Sequence, residues 1–431
     1  MSDKKSKNDK AWEYLFEKYD ILNQIDMNGI FNISATQIKE SKREPRLMAK
    51  FDHTIKLPTI FSKNKLSILP ITRGDYAISH FDSYHKFETI NTSITKVSIP
   101  SYIQSLNYNN ITSESMALNC AIATGIIEDF TNDTQLLPTV SGRMGSGTFD
   151  FDITDIKSKS PRHIKVINSQ IEIDAAYEGI KNLSLFEAKR DLSEDFIVRQ
   201  LYYPFRLWNA IVTKPVKPIF LVYSNSIYHL YEYMFENPSD YNSLILVKQK
   251  NYSIEDTSIT VEDIQNILYN TKIVKEPNIA FPQADNFKRV INLCELLNEH
   301  PMSKNEVTEK YAFDVRQTDY YTNAARYLGL LCKDNDNNVP VYHLNKDGKK
   351  IISNRGFKQR QLDFCKCILS HQIFSDVLKI YFNTGNMPSN NYIVQLMKKA
   401  NLYNVSSEST YERRSSTIKG WIDWIVSLIN E

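Results

Sequence analysis

Gln170-Ile171-Glu172-Ile173-Asp174-Ala175-Ala176-Tyr177 and Leu183-Ser184-Leu185-Phe186-Glu187-Ala188-Lys189-Arg190 are two short apolar runs separated by a turn that contains Gly179. Their composition predicts a pair of strands. Side chains of an extended strand alternate between faces, so Glu187 and Lys189 project together while Phe186 and Ala188 face the other way. Asp174 shares its own strand face with Glu172 by the same rule. Two carboxylates on adjacent strands, with an ammonium beside them, suit a hard divalent cation and a positioned water, the chemistry of phosphodiester cleavage. The competing reading is a ladder of surface ion pairs. Ile171, Ile173, Leu185 and Phe186 instead mark both strands as core. Glu-x-Lys alone decides nothing, because it recurs as Glu40-Ser41-Lys42 in a polar stretch without a strand pattern.

The flanking order narrows the fold. Ser113 to Phe130 reads as a helix, and the glycine-rich Ser141-Gly142-Arg143-Met144-Gly145-Ser146-Gly147 as a flexible loop near the metal site. Thr148 to Ile153 alternates as a strand. After the Asp174 and Glu187 strands, Asp195 to Val212 reads as an amphipathic helix that Pro204 kinks, and Lys217 to Tyr223 as a buried strand. This order resembles the PD-(D/E)xK nuclease superfamily over residues 110 to 235. The resemblance implies a mixed sheet flanked by helices, with Asp174 and Glu187 as ligands of Mg²⁺ and the Ala188 carbonyl as a further ligand. It gives Lys189 the task of orienting or helping to deprotonate the attacking water. Gln200 resembles the glutamine that some members place beside the site, and Glu114 the extra acid supplied by the preceding helix. Glu114 also has a plainer reading, as an acid placed favourably near a helix N-terminus.

Composition sets the bounds. The chain of 431 residues is long enough for several cored domains, and its 42% hydrophobic content without a membrane-length apolar run predicts a folded, soluble protein. The charged start of the sequence predicts a cytoplasmic rather than a secreted protein. Cys120, Cys294, Cys332, Cys365 and Cys367 contain no C-x-x-C pair and read as reduced thiols. A formal net charge of +2 makes no case for nucleic acid by itself. From Asn286 onward, however, 20 Lys and Arg stand against 15 Asp and Glu, so the basic excess sits in the C-terminal third.

That third has its own pattern. An apolar stripe at Val290, Leu293, Leu296 and Leu297 predicts one helix, Ser303-Lys304-Asn305-Glu306 is a capping box opening a second, and Thr318-Asp319-Tyr320-Tyr321 leads into a third. Two strand-like runs follow, around Val339 to Leu344 and Lys350 to Ile352. Three helices and then a β-wing resemble the winged helix-turn-helix modules of DNA-binding proteins. The resemblance implies that Gln317, Thr318, Tyr320, Tyr321, Asn323 and Arg326 line a recognition helix and that Lys346, Lys349 and Lys350 reach phosphate from the wing. The alternative is a dimerisation module or plain helical bundle. A similar order is expected again from His371 to the end, with Arg413 and Arg414 at the start of a long last helix. That helix either docks in a major groove or packs on another subunit.

In the N-terminal segment a helix is predicted at Trp12 to Tyr19, then short strands broken at Pro58, Pro70 and Pro100. Arg43 and Arg46 lie in a mixed basic run that either contacts a DNA backbone or forms a charged surface loop.

The fold expected is therefore multidomain α/β (α+β), with an N-terminal α+β domain over 1–110, a PD-(D/E)xK mixed-sheet core over 111–280, a winged helix over 286–356 and a second winged-helix-like domain over 357–431. Taken together these parts resemble a type II restriction endonuclease. That resemblance implies Mg²⁺-dependent hydrolysis of double-stranded DNA, a homodimer on DNA, a partner methyltransferase protecting the same sites, and no membrane. The alternatives are a methylation-dependent or repair nuclease built from the same parts, and a non-catalytic winged-helix regulator.

Overall fold

In the computed structural model, which describes residues 6–88, 93–254, 258–311, 313, 315–336, 339–353, 356–400 and 402–429, the protein is a mixed α/β fold. It divides into two compact units. The first gathers Met1–Ser93, Ser113–Tyr223 and Tyr228–Asn251, and the second Ile94–Thr112, Ser224–Ile227 and Tyr252–Glu431. The segments expected as separate domains over 1–110 and 111–280 thus share most of one unit, and 286–356 and 357–431 share the other.

The first unit is built on a mixed sheet in the order Leu244–Ser253, Ile227–Phe235, Val216–Ser224, Leu183–Lys189, Gln170–Glu178, Leu137–Gly145. Leu183–Lys189 lies inside this sheet, antiparallel to Gln170–Glu178 and parallel to Val216–Ser224. Strands covered on both faces read as continuous apolar runs, and all of Leu183 to Ala188 is buried. The helix Arg199–Asn209 makes the crossover to the parallel strand and presses Leu201, Tyr202, Tyr203 and Phe205 into the core with Ile171, Ile173 and Leu185. Pro204 lies within it.

Several sequence expectations are corrected here. The Ser113–Phe130 helix is two, Glu114–Ala123 and Ile126–Thr131, because Gly125 adopts φ +74° between them. The glycine-rich Ser141–Gly147 stretch is not a free loop: most of it belongs to the strand Leu137–Gly145, paired with the Asp174 strand. Thr148–Thr154 pairs with Pro161–Ile167 as a separate two-stranded ribbon. Asp195–Ile197 is a short strand, and the helix begins only at Arg199.

The N-terminal part of this unit is more helical than its prolines suggested. Helices Lys7–Lys18 and Ile21–Asn28 are followed by a three-stranded sheet, order Phe31–Ser34, Asp75–Ser79, Ser67–Pro70, with short helices at Ala35–Lys39, Pro45–Ala49 and Thr59–Lys63. Edge-to-face contacts of Phe61 with Trp12 at 4.8 Å and Phe16 at 5.3 Å centre its core. Trp12 Nε1 donates to the Met48 carbonyl at 2.9 Å, fixing the Pro45–Ala49 turn.

The second unit begins with helix Phe287–Leu297, strand Met302–Ser303, helices Lys304–Lys310 and Val315–Tyr327, then the hairpin Leu331–Asp336 and Val339–Leu344. The run expected as a second wing strand is instead the helix Lys346–Ile352, which Asn345 caps by accepting the Gly348 N–H at 2.8 Å. The second winged-helix order expected from His371 has no wing among the described residues: after Ile352 they form helices only, Phe357–Leu369, Gln372–Thr384, Asn390–Lys399 and Glu408–Ser427, with one isolated bridge of Ile429 to Ile259.

Candidate active site

The ladder between the Asp174 and Glu187 strands runs from Leu183↔Glu178 to Phe186↔Ala175. Beyond it the Asp174 strand is irregular. Against its other neighbour, pairing passes from Val140↔Ala176 to Gly142↔Ile173, one intervening residue (Ser141) on one strand against two (Asp174 and Ala175) on the other. This bulge re-aims the chain at Asp174. Its carboxylate then takes over from the ladder, and Oδ2 accepts the Ala188 N–H at 2.8 Å. Asp174 is thereby locked to the Glu187-Ala188-Lys189 strand end.

Glu187 is buried, with Oε1 accepting from Lys189 Nζ at 2.5 Å and from Gln200 Nε2 at 2.5 Å. Lys189 Nζ also lies 3.3 Å from the Ala188 carbonyl oxygen. Burial pushes the Glu187 carboxyl up to about 7, Asp174 adding to the effect and Lys189 opposing it. For Lys189 burial disfavours the charged form, yet Glu187, Glu114 and Asp174 together outweigh it and hold the ammonium well above its usual range. Glu114, behind the Ser113 cap that accepts the Met116 N–H at 3.1 Å, is also raised by burial, with Lys189 opposing and Asp174 and Asp191 reinforcing. Glu114 thus stands in the first turn of its helix and also lines the cavity shared with Asp174 and Glu187.

These residues share a cavity of about 420 Å³. Asp174, Glu187, Lys189, Gln200 and Glu114 line it, and so does Arg46. Lys50, of the same basic run as Arg46, lines it as well, whereas Asp52, Arg73 and Arg199 in its charged wall were not expected there. Of these three only Arg199, one residue from Gln200, carried a local signal; Asp52 and Arg73 lie more than a hundred residues upstream of Asp174.

Asp174, Glu187 and the Ala188 carbonyl are the oxygen donors that could hold a hard cation here. Gln200 Oε1 adds a buried oxygen without a hydrogen-bond partner. Among the described residues no three His, Cys, Asp or Glu side chains converge tightly enough to hold a metal by themselves. Mg²⁺ fits such a sparse set better than Ca²⁺ or Zn²⁺, because it keeps several waters and is held by one or two carboxylates plus substrate phosphate.

The residues expected to read DNA separate into two groups. On Val315–Tyr327, Gln317, Tyr320, Asn323 and Arg326 are partly exposed, and Arg326 Nη1 donates to Asn323 Oδ1 at 2.9 Å. Thr318 and Tyr321 are instead buried: Tyr321 stacks on Phe313 at 4.8 Å, with the Arg289 guanidinium 5.2 Å from the Tyr321 ring centre. Both hold the helix and reach no base. The exposed Arg316 at the start of the helix was overlooked. Lys346 and Lys349 lie on the helix after the hairpin, outside the wing. Arg413 is exposed, whereas Arg414 Nη1 donates to the Phe281 carbonyl at 2.5 Å, a packing role. Arg43 likewise holds Asn8 Oδ1 at 2.8 Å.

No helix among the described residues is long and apolar enough to cross a membrane. Residues 79–253 are similar to a family described as a domain of unknown function (DUF6997), residues 9–78 to a second such domain (DUF6996) and residues 289–430 to a third (DUF7226). No curated protein and no solved structure matches the chain.

Proposed function

We propose that the protein hydrolyses phosphodiester bonds of double-stranded DNA with Mg²⁺, as a nuclease of the type II restriction kind. One observation carries the reading. Asp174 and the Glu187-Ala188-Lys189 strand end are joined through the Ala188 N–H, with Lys189 and Gln200 both on Glu187 Oε1, in the wall of one cavity. A surface ion-pair ladder would leave these groups solvated; here Glu187 is buried.

Asp174, Glu187 and the Ala188 carbonyl would hold Mg²⁺, which supplies charge neutralisation and a water of lowered pKa. The protein's own groups do the remainder. Gln200 and Lys189 fix the rotamer of Glu187. Lys189 presents an ammonium to the reacting phosphate, where it offsets developing negative charge and holds the nucleophilic water by hydrogen bonding. Glu114 helps to keep Lys189 charged. Gln317, Tyr320, Asn323, Arg326 and Arg316 offer polar groups for groove and backbone contacts. Cutting both strands calls for two such sites, hence a homodimer on DNA, and a methyltransferase modifying the same sequence would protect the host.

Incubation of unmethylated plasmid with wild type, Glu187→Ala and Lys189→Ala in Mg²⁺ tests the reading. Discrete fragments from wild type alone are expected. Intact plasmid in every lane, over Mg²⁺ and Mn²⁺ and with DNA binding retained, would instead favour the regulator.

A further inference from the structure

The cavity is walled on one side by residues that precede the nuclease-like sheet in the chain. Arg46, Lys50, Asp52, Thr72 and Arg73 all come from the first 93 residues and face the same space as Asp174 and Glu187. Their charges are not equivalent. Arg46 lies 4.0 Å from Glu172, and Lys50 lies 3.6 Å from Asp52. Arg73 and Arg199 have no carboxylate within ion-pair distance among the described residues. Arg199 instead stands 5.9 Å over the Tyr203 ring.

The Arg73 loop is held rather than free. Thr72 Oγ1 donates to Asp75 Oδ2 at 2.7 Å and accepts the Gly74 and Asp75 N–H groups at 3.1 and 2.9 Å. The cavity is also lined by Ser169, whose hydroxyl is fully buried and has no hydrogen-bond partner. Two guanidiniums without carboxylate partners beside a cation-binding acidic pair make a site divided by charge. An anion with two faces, one for a metal and one for bidentate donors, satisfies both halves, and a phosphodiester is such an anion.

We infer that Arg73 and Arg199 are the backbone-phosphate clamp of the cleavage site, so that the N-terminal segment is a working wall of that site and not a separate module. This deepens the reading of the site as a nuclease and rests on it. The ligand class is the sugar-phosphate backbone next to the bond that is cut.

The test uses the full chain with Arg73→Ala, Arg73→Lys and Arg199→Gln, each checked for wild-type melting. Binding of a fluorescein-labelled duplex is measured by anisotropy in EDTA across a salt series, and cleavage of plasmid is measured in Mg²⁺. Loss of one phosphate contact lowers the slope of log K against log salt by about 0.9 in magnitude. Arg73→Ala and Arg199→Gln are each expected to show that loss and about tenfold or slower cleavage. Arg73→Lys keeps the slope and recovers part of the rate, since a point charge replaces a fork. Unchanged slopes and rates in both charge-removing variants overturn the clamp while leaving the nuclease reading intact. Reduced slopes in a protein that never cleaves uphold the phosphate contact and overturn the nuclease reading.

Discussion

Asp174→Asn separates two duties of one side chain. Asp174 ends the strand ladder by accepting the Ala188 N–H at 2.8 Å, and it supplies one of the two carboxylates for the cation. Asparagine keeps an acceptor oxygen in place but removes the charge. Exchanging a charge-assisted bond for a neutral one costs about 1 kcal/mol. Asp174→Ala strands the N–H of the fully buried Ala188 without an acceptor, at about 1–3 kcal/mol. Binding moves differently. At Mg²⁺ tenfold above its Kd, wild type gains about 1.4 kcal/mol, which is about 3–5 °C in Tm for a unit of this size. Both variants should lose that gain, and both should lose plasmid cleavage. Melting curves with and without Mg²⁺, read beside cleavage, therefore give a metal-free Tm about 2–4 °C below wild type for Asn and a drop as large or larger for Ala. If the Asn variant retains the Mg²⁺ shift and cuts at the wild-type rate, the assignment of Asp174 to the cation is wrong.

Proton and cation compete for Glu187, whose carboxyl burial raises to about 7, so half-saturating Mg²⁺ for cleavage should rise about tenfold per pH unit below that value and level off above it. Because the folded pKa lies above the ordinary 4.5, the folded state holds the extra proton. Stability from this group is full below about pH 4.5 and declines as pH climbs to about 7, so metal-free Tm should fall across that window, less steeply in Glu187→Gln. In the second unit, Tyr321→Ala should cost about 3 kcal/mol by emptying the stack on Phe313, whereas Arg316→Ala should leave melting unchanged and lower the salt slope of DNA binding by about 0.9. Asp133 opposes burial with hydrogen bonds from the Thr134, Lys181 and Asn182 N–H groups, which hold its carboxyl below the usual range. Asp133→Ala should loosen the turn feeding the Glu187 strand and cost about 2–3 kcal/mol at neutral pH, the wild-type advantage disappearing as pH falls below about 3.8 in thermal melts.

The Asp174 and Glu187 strands were legible because a period of two with core residues between charges has few other solutions, and Gln200 followed from its place on the next helix. The Leu137–Gly145 strand was not. Its glycines resemble loop punctuation, yet an end strand tolerates them, and Gly142 at φ +90° sits where the register slips. Lys350-Ile351-Ile352 misled as a strand because short apolar runs carry no period; the Asn345 cap upstream was the better signal. Thr318 and Tyr321 show the converse error, where polar and aromatic types suggested a surface and packing made them core. Arg73 and Asp52 were beyond reach, since nothing local encodes that segments so far upstream line the same cavity as these strands.

The Ala188 amide has a practical use. Most strand amides bond to carbonyls and report only backbone order, but this one bonds to a carboxylate proposed to change partners. Its NMR resonance should therefore shift when Asp174 gains a cation, and its deuterium exchange should quicken as the acceptor turns to the metal, which gives a native read-out of site occupancy that needs no label on the nucleic acid and no turnover.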